Sequence, residues 1–298
     1  MTTDPQTPRP GEIFLDHVGW FVPDIGAAAE AFARLGFVLT DYTEHRNATA
    51  DGGSVPSGTA NRCAMLERGY LEILTAVPGV DSALTRQLQA GIARYTGVHL
   101  IAFTVGDAAE ARERLAVAGF TPDPVVNLRR PVRTDTGGEG MTAFSVIRIP
   151  PAEMPEGRIQ ILTQDTPDLV WQPGLIARDN AVEALTGILL RVADPAEAAE
   201  RYGRFTGRNP RAIDGGAAII LDRGRIAFVA PGAAGGPVPA MVAVGLRSRD
   251  LAATRAFLAG RGVPFADAAD HLVVDPAAAM GTALVIHAEG AAERLYRR

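Results

Sequence analysis

No lysine occurs anywhere in this 298-residue chain, so all 29 of its basic residues are arginine. That absence removes Schiff-base chemistry, lysine-anchored pyridoxal phosphate and any P-loop. Cysteine is nearly missing too, and a lone Cys63 excludes intrachain disulfides and thiolate metal clusters. Cys63 lies in the alternating run NRCAMLERGYLEIL, where a small half-buried residue is the plain reading and no base is set beside it. No apolar run reaches membrane-spanning length. A net charge of −5 with the signs well mixed gives no footprint for nucleic acid or an anionic membrane, which leaves small molecules as the expected partners. The first dozen residues, MTTDPQTPRPGE, carry three prolines and no apolar h-region, so residues 1–12 read as a loose tail and the protein as cytoplasmic. Oligomeric state is left open, with a homodimer as one arrangement.

What is present is a repeat. Four times an Asp opens a short Ala-rich amphipathic stretch that a Gly closes twelve or thirteen residues later: Asp24 and Gly36, Asp107 and Gly119, Asp194 and Gly207, Asp250 and Gly262. Asp accepts hydrogen bonds from the free N–H groups of a first helical turn, and Gly takes the left-handed conformation that ends one. Strand-like runs flank each stretch, from FLDHVGWFV to GYLEILTAV in the first and from VHLIAFTV to GRIQILTQ in the second. Each unit has room for two further strands, giving β-α-β-β-β. One such unit cannot cover both faces of its own sheet, so the four must pair.

The spacing therefore predicts an α+β protein of two domains. Modules 13–76 and 98–163 fill residues 13–172, modules 183–230 and 239–288 fill residues 173–298, and a seam with Trp171 as anchor lies around 167–180. With 47% hydrophobic residues the chain has apolar material enough for two cores. The first two units carry long Gly-rich polar stretches, HRNATADGGSVPSGTANR and NLRRPVRTDTGGEG, which read as lids, while the last two are trimmed to scaffold.

Aligning GYLEILT over GRIQILT puts Glu72 and Gln160 in the same slot. A carboxylate in an apolar strand is costly unless it is paired, protonated or bound to metal. His17, on the opening strand, can converge with Glu72 inside a curved sheet, and imidazole with oxygen donors suits Zn, Ni, Mn, Fe or Co. His45, Arg46, Arg62, Arg129, Arg130 and Arg133 lie in the long stretches bordering such a cavity and are candidates for binding a substrate carboxylate or phosphate. Trp20, His271 and His287 read as packing or structural residues.

The paired units, the opening LDHVGWFVPDI, the closing GYLEIL and the stretches GTANRCAMLERGYLEIL and ILTQDTPDLVW resemble the vicinal oxygen chelate superfamily, in particular its bacterial glyoxalase-like branch. The resemblance covers residues 13–290, strongly in the first half and by pattern in the second. It implies curved, mostly antiparallel sheets and a divalent metal held by the first and last strands of two paired units. Carried over, the ligands are His17, Glu72 and Gln160. His99 is the tempting fourth, but His17 stands seven residues before its cap Asp24 and His99 eight before Asp107. The odd shift turns His99 away and puts Leu100 in the slot unless a bulge restores it. Gly187, Ala227, Ala243 and Val285 fill the equivalent slots of the second half, which is expected to bind no metal. The function implied is a metal-dependent lyase or isomerase acting on a small oxygenated metabolite, with Glu72 as base if it leaves the metal. The alternatives are a metal-free binder of the bleomycin-resistance type and an extradiol-type dioxygenase.

Overall fold

The computed structural model describes residues 6–48, 53–232 and 235–291. All four aspartates cap helices, and their carboxylates accept from first-turn amides, as Asp24 does from Gly26 and Ala27 at 2.8 and 3.0 Å. The four closing glycines have φ of +62° to +86°, which a side chain would strain. In chain order the first run is β1 (Ile13–Phe21), α1 (Ile25–Arg34), β2 (Thr43–Ala48), β3 (Ser54–Met65) and β4 (Tyr70–Ala76). After α2 (Ala83–Arg94) come β5 (Gly97–Val105), α3 (Ala108–Val117), β6 (Val126–Arg133), β7 (Glu139–Arg148) and β8 (Arg158–Gln164). A short α4 (Pro167–Val170) leads to β9 (Val182–Arg191), α5 (Pro195–Thr206), β10 (Pro210–Ile213), β11 (Gly216–Ile220) and β12 (Arg225–Val229). The last run is β13 (Ala240–Ser248), α6 (Leu251–Gly260), β14 (Phe265–Asp267), β15 (His271–Val274) and β16 (Ala283–His287).

The sheet is mixed and mostly antiparallel. Its two central pairs, β1 with β5 and β9 with β13, are antiparallel, and each central strand takes the closing strand of its own run as a parallel neighbour. The remaining strands form antiparallel hairpins at the edges. A single register contact, Met241 with Val98, joins the two central pairs. Strands β1 and β5 are buried along their whole length because both faces are covered. One face packs on the helices, where Val18, Trp20 and Phe32 are fully buried. Complete burial of side chains of this size contributes on the order of 1.5–3 kcal/mol each. The other face meets a smaller cluster of Phe21, Leu74, Leu100, Val146 and Leu162. No helix among the described residues is long and apolar enough to cross a membrane.

Three expectations need revision. The two polar stretches are not lids but the long hairpins β2–β3 and β6–β7. Leu128, Arg130 and Val132 alternate with exposed Asn127, Arg129, Pro131 and Arg133, so a period of two lies under the polar composition. Helix α2 has no counterpart in the repeat; Ser82 caps it and Leu88 buries its inner face. Trp171 packs 6.0 Å from the Tyr70 ring, with Met65 in the same cluster, beside the cavity described below. Of the segment read as a loose tail, residues 1–5 lie outside the described residues. Residues 6–12 lie against the body, Gly11 accepting at 2.7 Å from Arg208. Residues 49–52 of the first polar stretch also lie outside.

Candidate functional site

The concave side of β1, β4, β5 and β8 holds a cavity of about 170 Å³. His17 and Glu72 meet there, with His17 Nε2 3.6 Å from Glu72 Oε2 and both side chains almost wholly buried. The register explains the approach: β1 and β4 run parallel, pairing His17 with Tyr70 and Gly19 with Glu72, and the absence of a side chain at Gly19 makes room for Leu100 and Leu74, which a Cβ there would meet at 2.9 and 3.1 Å. The imidazole stacks on the Tyr70 ring at 4.3 Å. Its Nδ1 lies 2.6 Å from Asp16 Oδ1, although neighbours on a strand normally point to opposite faces. A bulge permits the contact, because Leu15 pairs with Phe103 and His17 with Ala102, leaving Asp16 as the extra residue. Gln164 Nε2 donates to both Asp16 oxygens, at 3.1 and 3.2 Å. Glu72 is oriented in turn by Asn61 Nδ2, which donates to Oε1 at 2.6 Å.

Gln160 lines the same cavity from β8. On β5 and β8 the parallel register pairs Leu100 with Arg158 and Ala102 with Gln160, so Leu100 stands where His17 stands in the first run. His99 is not among the residues lining this cavity. It stacks on Tyr95 at 3.9 Å, its Nε2 lies 2.8 Å from the Tyr95 carbonyl, and burial lowers its pKa to about 4. A bulge does fall at His99, since Gly19 pairs with Leu100 and Trp20 with Val98, but it leaves the ring between Tyr95 and Phe21 and out of the cavity wall. Without His99 the two-histidine, one-carboxylate set of a non-haem iron oxygenase is not formed at this cavity.

Of the proposed substrate contacts, Arg130 lines the cavity from β6. Arg129 and Arg133 fall on the exposed face of that strand, and Arg62 on the face of β3 opposite Asn61 and Cys63. Arg46 is exposed and tied to Ser54, its Nε donating at 2.8 Å. His45 is buried, with Nδ1 3.0 Å from Thr59 Oγ1. Burial first, and Arg130 second, hold the His45 pKa well below the usual histidine range, so its ring is neutral. Cys63 borders the cavity, but burial pushes its thiol pKa well up, which makes it a poor nucleophile. His287, with Nε2 2.8 Å from Thr186, and His271, against Asp270, lie outside the cavity.

Sequence reasoning missed Asp16, Tyr70, Asn61, Arg148 and Arg158. Arg158 had a signal: the alignment that sets Glu72 over Gln160 also sets Tyr70 over Arg158. Arg148 pairs with Gln160 across β7 and β8. The Asp16 contact depends on a bulge that no spacing rule gives.

As donors for a divalent ion, His17 Nε2, Glu72 Oε2 and the Gln160 carboxamide face one space, and Asp16 on the other ring nitrogen is the usual outer partner of a metal-bound histidine. The pair fits a metal, but among the described residues no three His, Cys, Asp or Glu side chains converge on one point. The set is two strong donors and one amide.

A mixed, curved sheet whose opening and closing strands bring an imidazole and a carboxylate together on the concave side defines a glyoxalase-like protein of the vicinal oxygen chelate superfamily. The chain belongs to the glyoxalase-like domain family, whose sequence model matches residues 15–206. No curated protein matches it. Among solved structures it is similar to a hypothetical protein from Staphylococcus aureus, with a TM-score of 0.66 and 10% identity over 93% of this chain and 99% of that one. A substituted 4-hydroxymandelate synthase from Streptomyces coelicolor matches with a TM-score of 0.59 and 12% identity, over 94% of this chain and 93% of that chain. A xylose isomerase-like TIM barrel/4-hydroxyphenylpyruvate dioxygenase fusion protein matches with a TM-score of 0.58 and 12% identity, over 97% of this chain and 52% of that one. At these identities the likeness is one of fold.

Proposed function

We propose that the cavity is the active site of a glyoxalase-like lyase or isomerase acting on a small oxygenated molecule, with His17, Glu72 and Gln160 holding a divalent metal. The observation that carries this reading is the 3.6 Å approach of His17 Nε2 to Glu72 Oε2. In the tautomer that donates Nδ1–H to Asp16, Nε2 and Glu72 Oε2 are both acceptors, and a cation between them would satisfy both. Bound there, a metal supplies Lewis-acid polarisation of a substrate oxygen.

The chain's own residues do the rest. Asp16 fixes the His17 tautomer and orientation, and Tyr70 fixes the plane of the ring. Glu72 is the one carboxylate among the described residues lining the cavity, so, once it is released from the metal, it is the group placed to take a proton from a carbon beside the polarised oxygen. Leu128, Phe144, Val146 and Leu162 keep bulk water from the carbanion-like charge that develops there. The element order supports reading residues 13–172 as the domain with the site and residues 173–298 as a second pair of modules without one.

Elemental analysis of untagged protein equilibrated with Zn, Ni, Mn, Fe and Co tests the proposal. One ion per chain, lost in His17→Ala and in Glu72→Ala, is the expected result. Protein that takes up none of the five overturns it and leaves the second reading, a metal-free binder. That reading is favoured by one observation: Arg130 beside Glu72, with Arg148 and Arg158 behind it, already gives the walls an excess of positive charge.

A further inference from the structure

Behind the Glu72, Arg130 and Gln160 side chains lies a second, smaller chamber of about 60 Å³, walled also by His45, Arg148 and Arg158. About 10–15 Å³ of such space is enough for one water, so the chamber has room for one small polar group and not for a whole metabolite. Its walls hold polar atoms with nothing to bind. Arg148 Nε, Arg158 Nη2 and His45 Nε2 are all buried without a hydrogen-bond partner. Native interiors rarely leave such atoms unsatisfied, and three around one chamber imply a ligand that satisfies them.

The charge balance gives the same answer. Glu72 is the one carboxylate lining the chamber, against Arg130, Arg148, Arg158 and the exposed Arg46. Arg158 is 7% exposed, and burial, with Arg148 adding to it, brings its guanidinium pKa down to about 10. Buried cations in such excess are costly until an anion joins them. Arg158 keeps one anchor, Nε donating to Gln87 Oε1 on α2 at 2.8 Å, which leaves its Nη2 end for a ligand. In the tautomer where the Thr59 hydroxyl donates to His45 Nδ1, the ring proton sits on Nε2 and adds a third donor.

We propose that this chamber is an oxyanion subsite, and that the molecule bound in the main cavity is amphipathic, with a carboxylate or phosphate held by Arg148, Arg158 and His45. Its apolar body lies against Leu128, Phe144, Val146 and Leu162, two of which line both spaces. The inference deepens the proposed function by naming a substrate class, and it rests on that reading only for the chemistry, not for the binding.

Calorimetric titration of the full chain with hexanoate, hexyl phosphate and hexanol, with and without chelator, separates the two. At least one anion is expected to bind tenfold or more tightly than hexanol, and which anion wins tells carboxylate from phosphate. Arg158→Gln and Arg148→Gln should each erase that preference while leaving metal content unchanged, and in anion-free buffer each should melt no lower than the parent. Equal binding of hexanol and both anions, or variants that keep the preference, overturns the subsite. Anion binding that persists in protein unable to take up metal overturns the metal reading alone.

Discussion

The two halves of the molecule share one scaffold and differ in their edges. Each has an antiparallel central pair with parallel closing strands, and in each a glycine stands beside the closing-strand slot, Gly19 opposite Glu72 and Gly245 opposite Val285. In the first half the edge strands β2, β3, β6 and β7 run 6, 12, 8 and 10 residues. Their counterparts β10, β11, β14 and β15 run 4, 5, 3 and 4. The long hairpins supply Asn61, Arg130 and Arg148, so they add both walls and charges to the concave side. The comparison teaches that the central strands provide slots and the hairpins turn slots into a site. A polar residue in a slot without that cover would face water, and in the second half Gly187, Ala227, Ala243 and Val285 fill the slots instead.

The sharpest way to break this comparison is to change the same slot in both halves. Glu72→Gln should lower turnover, or metal affinity, by a factor on the order of 100 or more, since it removes the one carboxylate that lines the cavity among the described residues. Val285→Ala should leave both within twofold and cost about 1 kcal/mol of stability, a modest packing loss measurable by urea unfolding. Equal functional losses at the two positions would mean that the second half has a site of its own. Next in size is Asp16→Asn. The amide can no longer accept from Nδ1 as a carboxylate does, and loss of such an outer partner lowers metal affinity roughly 10–100-fold. Circular dichroism and melting temperature should stay near those of the parent; a variant with full metal affinity would reduce Asp16 to packing. A gain of about tenfold in metal affinity is expected for Leu100→His, which fills the fourth slot with an imidazole. No gain there would show that the second run has lost the slot's geometry as well as its ligand.

Much of this contrast is legible in the sequence, because helix caps and strand periodicity are local. The four Asp–Gly pairs fix the helices, and an alternating strand fixes which residues share a face, so the convergence of His17, Glu72 and Gln160 follows from counting. What does not follow is whatever a polar composition conceals or a bulge creates. NLRRPVRT reads as loop by its residues, yet alternate positions give β6 one inward face, with Arg130 on it and Arg129 and Arg133 outside. Asp16 reaches His17 only because β1 carries one residue more than β5 needs. Helix α2 lacks the Asp and Gly signals of the others, and with it the Gln87 contact that holds Arg158 stays out of sight.

The smallest expected effect concerns His99, which does not line the cavity. Its buried ring has a folded-state pKa of about 4, below the usual histidine value of 6.5, with loss of solvation as the main cause. The unfolded chain therefore binds a proton that the folded one refuses between those two pH values. The stability due to this refusal is complete above about pH 6.5 and is lost as the pH falls toward 4. His99→Phe keeps an aromatic ring between Tyr95 and Phe21 but has nothing to titrate. Urea midpoints of parent and variant should differ by a constant amount above pH 6.5 and shift in the variant's favour on acidification. His45 and His287 titrate in both proteins and cancel from the difference. Metal content should be the same in the two throughout, and a variant that loses metal would return His99 to a site whose walls do not include it.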